Sequence, residues 1–143
     1  MKKPLLAAYC SHKGIQTMTV QDIQHLDIIY YAFGIVENAQ LNFEHSEYFN
    51  LFSSFRKLNP DIRIILSLSG GEHNGFSSSA NTMVKRKELV CNVVRAVREY
   101  DFDGVDVDWE FPTVNGVEEE RDWHTQLLAL LRTELDNIDP LRK

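Results

Sequence analysis

Four acidic residues stand at fixed spacing near the end of this chain: Asp103, Asp106, Asp108 and Glu110. Gly104, Val105, Val107 and Trp109 lie between them, and Phe111-Pro112 closes the run. Phe102 and the interleaved β-branched residues mark a short buried strand. Side chains in a strand alternate between its faces, so Asp106, Asp108 and Glu110 are expected on one face. Val105, Val107, Trp109 and Phe111 are expected on the other. Like charges a few ångströms apart resist ionising together. A shared proton relieves them, raises the pKa of one member and makes it a general acid near neutral pH. The competing chemistry is a divalent cation site or a solvated acidic edge. A calcium loop of the helix-loop-helix kind needs a glycine after its third acid and a glutamate six residues further on. This run has neither and no histidine stands within it, so acid–base chemistry is the preferred reading.

The run Asp103-x-x-Asp106-x-Asp108-x-Glu110 resembles the DxxDxDxE signature of glycoside hydrolase family 18, the chitinases and related endo-β-N-acetylglucosaminidases. Gly104 after the first acid and Phe111-Pro112 at the end extend the match. The resemblance implies a (β/α)8 barrel of TIM type, with this segment as its fourth strand and Glu110 at the carboxyl end, where such barrels place their active sites. It implies Glu110 as the general acid and Asp108 as the group that orients the substrate's 2-acetamido group. Asp106 would share a proton or hydrogen bond with Asp108. The nucleophile would be the substrate's own acetamido oxygen, giving retention through an oxazolinium intermediate. Asp103, at the strand start, has a supporting role in this scheme. Tyr9 resembles the family tyrosine that hydrogen-bonds the acidic pair, and Ser67 is placed to hydrogen-bond Asp106. Phe33 and Trp109 are the aromatic candidates for sugar contact, with core packing as the alternative for Phe33 and a plain turn hydroxyl as the alternative for Ser67.

Elements that could position these residues are legible along the chain. Apolar runs at Leu5 to Tyr9, Ile28 to Val36 and Ile62 to Leu68 read as three strands ahead of the acidic one. The second contains Tyr31-Ala32-Phe33-Gly34 and resembles the family's Tyr-Ala-Phe strand. Between the strands apolar residues recur three or four apart. Thr19 to Leu26 fits a short helix. Phe49, Phe52 and Phe55 mark another, Leu89, Val93, Val97 and Tyr100 a third, and Trp123, Leu127, Leu131 and Leu135 a fourth. Ser77-Ser78-Ser79 with Asn74-Gly75 reads as a loop. The alternation is that of an α/β protein with a parallel sheet. After the third strand the family turn Ser-x-Gly-Gly-Trp corresponds here to Ser67-Leu68-Ser69-Gly70-Gly71, which predicts strain at Ser69 unless the register shifts by one residue.

A full barrel of this type takes about 250 residues, whereas this chain has 143. The pattern ends after the fourth helix, near Asp136 to Pro140, so the expected architecture is the first four β/α units, residues 1–143 forming the amino-terminal half of a catalytic domain. The family's sixth-strand tyrosine and eighth-strand tryptophan have no counterparts. Four parallel strands leave two open edges, which predicts self-association or a separate second half.

Composition restricts the function classes. With 43% hydrophobic and 25% charged residues the chain is globular. A net charge of −6 argues against nucleic-acid binding. No stretch is long enough to span a membrane, and Met1 to Ala8 lacks the apolar length of a signal peptide, which reads as cytoplasmic although the expected substrate is extracellular. Cys10 and Cys91 are unclustered, and His12, His25, His45, His73 and His124 show no spacing that suggests a triad or a metal. No metal or cofactor is expected; chitin or N-acetylglucosamine oligosaccharides are the expected partners. The alternatives are a chitin-binding remnant without activity, an endo-β-N-acetylglucosaminidase acting on N-glycans, and an inactive assembly scaffold.

Overall fold

The computed structural model describes residues 4–71 and 75–138 of the chain. Strand β1 (Ala7–Cys10) is followed by two one-and-a-half-turn helices, α1 (His12–Thr17) and α2 (Val20–His25). Strand β2 (Ile28–Glu37) folds back as β3 (Gln40–Phe43), and a 3-10 segment (Ser46–Leu51) leads into α3 (Phe52–Leu58). Strand β4 (Arg63–Ser69), helices α4 (Gly75–Ala80) and α5 (Met83–Glu99), strand β5 (Gly104–Asp108) and helix α6 (Glu120–Ile138) complete the order. Strands β1, β2, β4 and β5 lie side by side, all parallel, and β3 pairs antiparallel with β2. This is the expected parallel α/β sheet.

Local chemistry explains most of the boundaries. Thr19 and Asp22 form a reciprocal capping box at the start of α2, and the hydroxyls of Ser11 and Thr82 take backbone N–H groups at the starts of α1 and α5. The hydrogen bonds from Thr19 hold the Asp22 carboxyl below the usual carboxylate range. On α5 the buried residues Leu89, Val93 and Val97 recur every four positions, and on α6 Leu127, Leu131 and Leu135 do the same. These stripes cover one face of the sheet, where Ile29, Tyr31, Ile64, Leu66 and Leu68 are buried. Phe49 anchors an aromatic cluster beneath it, meeting Tyr31, Phe43, Phe52, Tyr100 and Phe102 at centroid distances of 4.7–5.4 Å.

Helix α1 was not anticipated by the sequence reading, and two further features depart from it. The β2–β3 hairpin was not expected; its turn places Asn38 and Ala39 at positive φ, the conformation a tight hairpin requires. Alanine is a poor residue there, and tertiary contacts supply what local propensity lacks. The Ala39 N–H donates to Ser79 Oγ at 2.7 Å and its carbonyl accepts from Asn92 at 2.8 Å. The second departure is α4, which takes in Ser77-Ser78-Ser79, the segment read as a loop. Serines disfavour helix interiors in isolation, but Phe76, Ser79 and Ala80 are buried here and packing decides. Position 75 requires glycine, because a Cβ there would lie 1.7 Å from the Val36 carbonyl oxygen. His73 and Asn74 lie outside the described residues, as do Met1 to Lys3 and Asp139 to Lys143.

Candidate active site

The sheet has two faces, and the one opposite the helices carries Tyr9, Tyr30, Ala32, Ser67, Asp106 and Asp108 by strand alternation. Pairing aligns Ala32 with Ser67 and Ser67 with Asp106, and one step further Ser69 with Asp108. Ser67, fully buried, donates its hydroxyl to Asp106 Oδ2 at 2.7 Å. Tyr9 donates its phenol to the same oxygen at 3.0 Å from the far side of the sheet. Its ring stacks on Tyr30 at 4.7 Å and is 58% exposed. Partial burial, the hydrogen bond to Asp106 and the charges of Asp106 and Asp108 push the Tyr9 phenol up to about 12. Tyr9 is therefore a firm donor at any physiological pH. Asp106 is held by hydroxyls from β1 and β4, the two residues that the family resemblance had placed beside it.

Glu110 lies two residues beyond the end of β5, exposed, so the strand alternation that was expected to carry it stops at Asp108. Asp108 and Glu110 line a small cleft of about 140 Å³ together with Ser69, Gly71, Phe76 and Trp109. Trp109 is only 8% exposed. Its indole stacks on Phe76 at 5.2 Å and meets His124 edge-on at 5.7 Å, so most of the ring is core and not a sugar platform. Phe33 is half-buried at the point where the β2–β4 register slips between Ala32 and Gly34, which leaves it outside the ladder beside Ser67. The expected strain at Ser69 is absent: Ser69 is an ordinary last residue of β4, and the left-handed conformation falls on Gly71, at φ +59.

Asp103 sits apart from the cleft. Its Oδ2 accepts from the Ile64 N–H at 2.7 Å and from Arg56 at 2.9 Å, and its own N–H donates to the Ile64 carbonyl at 2.7 Å. It thereby ties α3, β4 and the entry to β5 together, a structural duty at the opposite end of the strand from Glu110.

One residue that sequence inspection did not single out belongs to this region. Glu120, 1% exposed at the start of α6, accepts the Thr113 N–H at 2.7 Å on one carboxylate oxygen and the Ser77 hydroxyl on the other. It anchors the loop that leaves Glu110 to helix α4. A lone glutamate in a first helical turn carries no signal of this kind, since acidic residues are common there for dipole reasons.

Residues 6–141 match the sequence profile of Glycosyl hydrolases family 18. Chitinase A1 of Niallia circulans is 34% identical over 94 residues, covering 61% of this chain and 13% of that protein. Putative chitinase 1 of Margaritifera margaritifera is 30% identical over 116 residues, covering 74% of this chain and 25% of its own length. Among solved structures, a family 18 N-acetylglucosaminidase from Paenibacillus barengoltzii superposes with a TM-score of 0.85 at 33% identity. That superposition covers 93% of this chain and 41% of the other. The chain thus spans less than half the length of each of these relatives.

Proposed function

Because the chain belongs to glycosyl hydrolase family 18, we propose that it supplies the amino-terminal half of a (β/α)8 barrel that cleaves β-1,4-linked N-acetylglucosamine polymers. The reaction is hydrolysis with retention, assisted by the substrate. Glu110 protonates the glycosidic oxygen of the leaving sugar. The carbonyl oxygen of the substrate's 2-acetamido group attacks the anomeric carbon, forming an oxazolinium ion that water then opens. Asp108 orients the acetamido group and stabilises its developing positive charge. Asp106, fixed by Tyr9 and Ser67, holds the acidic pair in place. Tyr9 and Phe33 offer aromatic surface to the sugar.

The convergence of the Tyr9 and Ser67 hydroxyls on one oxygen of Asp106 carries this reading. Those two bonds turn a costly row of carboxylates into an ordered one, with Glu110 at the open end. Two features support the half-barrel part of the reading. The sheet curls enough to bring Tyr9 to Asp106, and β1 and β5 are its edge strands among the described residues. A half barrel needs a second half to cover those edges, whether a continuation of the chain or another copy.

The test is to incubate the protein with N-acetylglucosamine oligomers and follow products by mass spectrometry, with Glu110→Gln alongside. Cleavage by the native protein that vanishes in the variant upholds the proposal. Equal turnover by both removes Glu110 from the mechanism. Saturable oligomer binding without cleavage by either assigns the chain to sugar binding alone.

A further inference from the structure

His12 is far in sequence from the adjacent pair Glu44-His45, and no spacing rule links the two histidines. The fold brings them together on the loop side of β1. His12 opens α1 two residues past β1, and Glu44 and His45 follow β3 directly. The two imidazole ring centroids lie 4.4 Å apart, and the Glu44 carboxylate approaches one nitrogen of each ring. His12 Nδ1 is 3.7 Å from Glu44 Oε2, and His45 Nε2 is 3.8 Å from Glu44 Oε1. We propose that His12, Glu44 and His45 form a binding site for a divalent transition-metal ion of the zinc class.

The distances favour an ion over direct contact. Both are too long for good hydrogen bonds. Ligands held about 2.0–2.1 Å from a tetrahedral zinc lie roughly 3.3–3.4 Å from one another, so small side-chain rotations close the set. One ligand atom from each of the three residues already falls within 4.8 Å of the others.

The second ring nitrogen of His45 strengthens the assignment. His45 Nδ1 lies 2.8 Å from Glu47 Oε1. With Nδ1–H donated to Glu47, Nε2 presents its lone pair toward Glu44. A carboxylate behind a histidine in this way fixes the tautomer and the orientation of the ring. The backbone beneath is also held: the buried Tyr31 hydroxyl donates to the Glu44 carbonyl at 2.9 Å, and the Tyr48 N–H donates to the His45 carbonyl at 3.2 Å. Ser11 caps the helix that carries His12.

The donor set selects the ion. Two imidazoles and one carboxylate suit Zn²⁺, and also Cu²⁺ or Ni²⁺. Magnesium and calcium take oxygen ligands and are excluded by the histidines. The His12 side chain is 15% exposed and Glu44 is 74% exposed, so the ion enters from solvent and keeps water in its remaining positions. Bound there, it clips the segment after β1, the strand that carries Tyr9, to the segment after β3.

Isothermal titration with ZnCl₂ tests the proposal on the full chain, with His12→Ala, His45→Asn and His25→Ala alongside and MgCl₂ as the second titrant. Asparagine is used at position 45 because His45 has φ 60, a conformation asparagine tolerates. The expected result is one zinc per native chain, unchanged in His25→Ala, at least about tenfold weaker in His12→Ala and in His45→Asn, and no magnesium binding. Glu47→Gln, which leaves all three ligands in place, should weaken binding by about 10–100-fold. Circular dichroism confirms that each variant is folded, and the visible absorption of a Co²⁺ complex gives a second readout. No saturable zinc binding by the native chain, or equal affinity in His12→Ala and His45→Asn, overturns the site.

Discussion

The Tyr9 hydroxyl on β1 and the Asp106 carboxylate on β5 meet at 3.0 Å although β2 and β4 lie between their strands. Three strand spacings in a flat sheet amount to about 14 Å, and side chains standing perpendicular to such a sheet do not converge. Their contact requires a sheet that curls toward the face bearing the carboxylates. The four parallel strands are therefore curved, and the curvature concentrates hydroxyls on Asp106.

Tyr9→Phe keeps the ring stacked on Tyr30 and removes only the donor. Stability should fall by about 0.5–1.5 kcal/mol in urea unfolding, the net worth of an ordinary hydrogen bond. Oligomer hydrolysis should fall further, by about tenfold or more, because Asp106 loses one of its two constraints. A variant with native turnover would place Tyr9 outside the machinery.

Alkaline titration offers an independent view of the same contact. The Tyr9 phenol is pushed up to about 12 by burial and by Asp106, and Tyr31 to about 12 by burial and by the charges of Glu44 and Glu47. Both pKa values are raised, so the stability they contribute is complete below the ordinary tyrosine value of about 10. It is lost as pH rises through the folded value. Phenolate absorbance should show a late component near pH 12 that is diminished in Tyr9→Phe. Full ionisation of all tyrosines by about pH 10.5 contradicts the assignment.

Glu110→Gln should leave the unfolding midpoint nearly unchanged, within about 0.5 kcal/mol, because the side chain is exposed. All the loss should appear in turnover. A large stability change would recast Glu110 as structural.

Asp103→Ala should behave oppositely. It strands the Ile64 N–H and Arg56 inside the packing of α3 against the sheet, and about 1–3 kcal/mol of destabilisation is expected. Sugar binding by the folded fraction should be preserved, which separates this acid from the other three.

Glu120→Ala leaves the half-buried Thr113 N–H and the Ser77 hydroxyl without their acceptor. A loss of about 1–3 kcal/mol is expected, with faster proteolysis between Phe111 and Glu119. Since that loop starts at Glu110, activity should drop with KM affected less than kcat.

Much of this molecule is legible in its sequence. The spacing of Asp103, Asp106, Asp108 and Glu110, the apolar runs of β1, β2, β4 and β5, and the stripes on α5 and α6 are local patterns, and local patterns follow directly from strand and helix periodicity. The same reasoning failed where tertiary contacts overrode local preference. Ala39 holds a left-handed turn because Ser79 and Asn92 grip its backbone, and three serines sit in α4 because that helix is packed. Trp109 was offered as a sugar contact, yet Phe76 claims its face.

The sequence by itself determined which residues exist to do chemistry, in which order, and on which kind of element. The family resemblance already set Tyr9 and Ser67 beside Asp106, but only the tertiary structure decided that both reach the same oxygen and that Ser77 meets Glu120. Tyr9 lies 97 residues from Asp106, Ser67 lies 39 from it, and Ser77 lies 43 from Glu120. Such pairs depend on strand order, register and sheet curvature, which emerge from burial of the whole apolar face and leave no trace in the spacing of the residues they join.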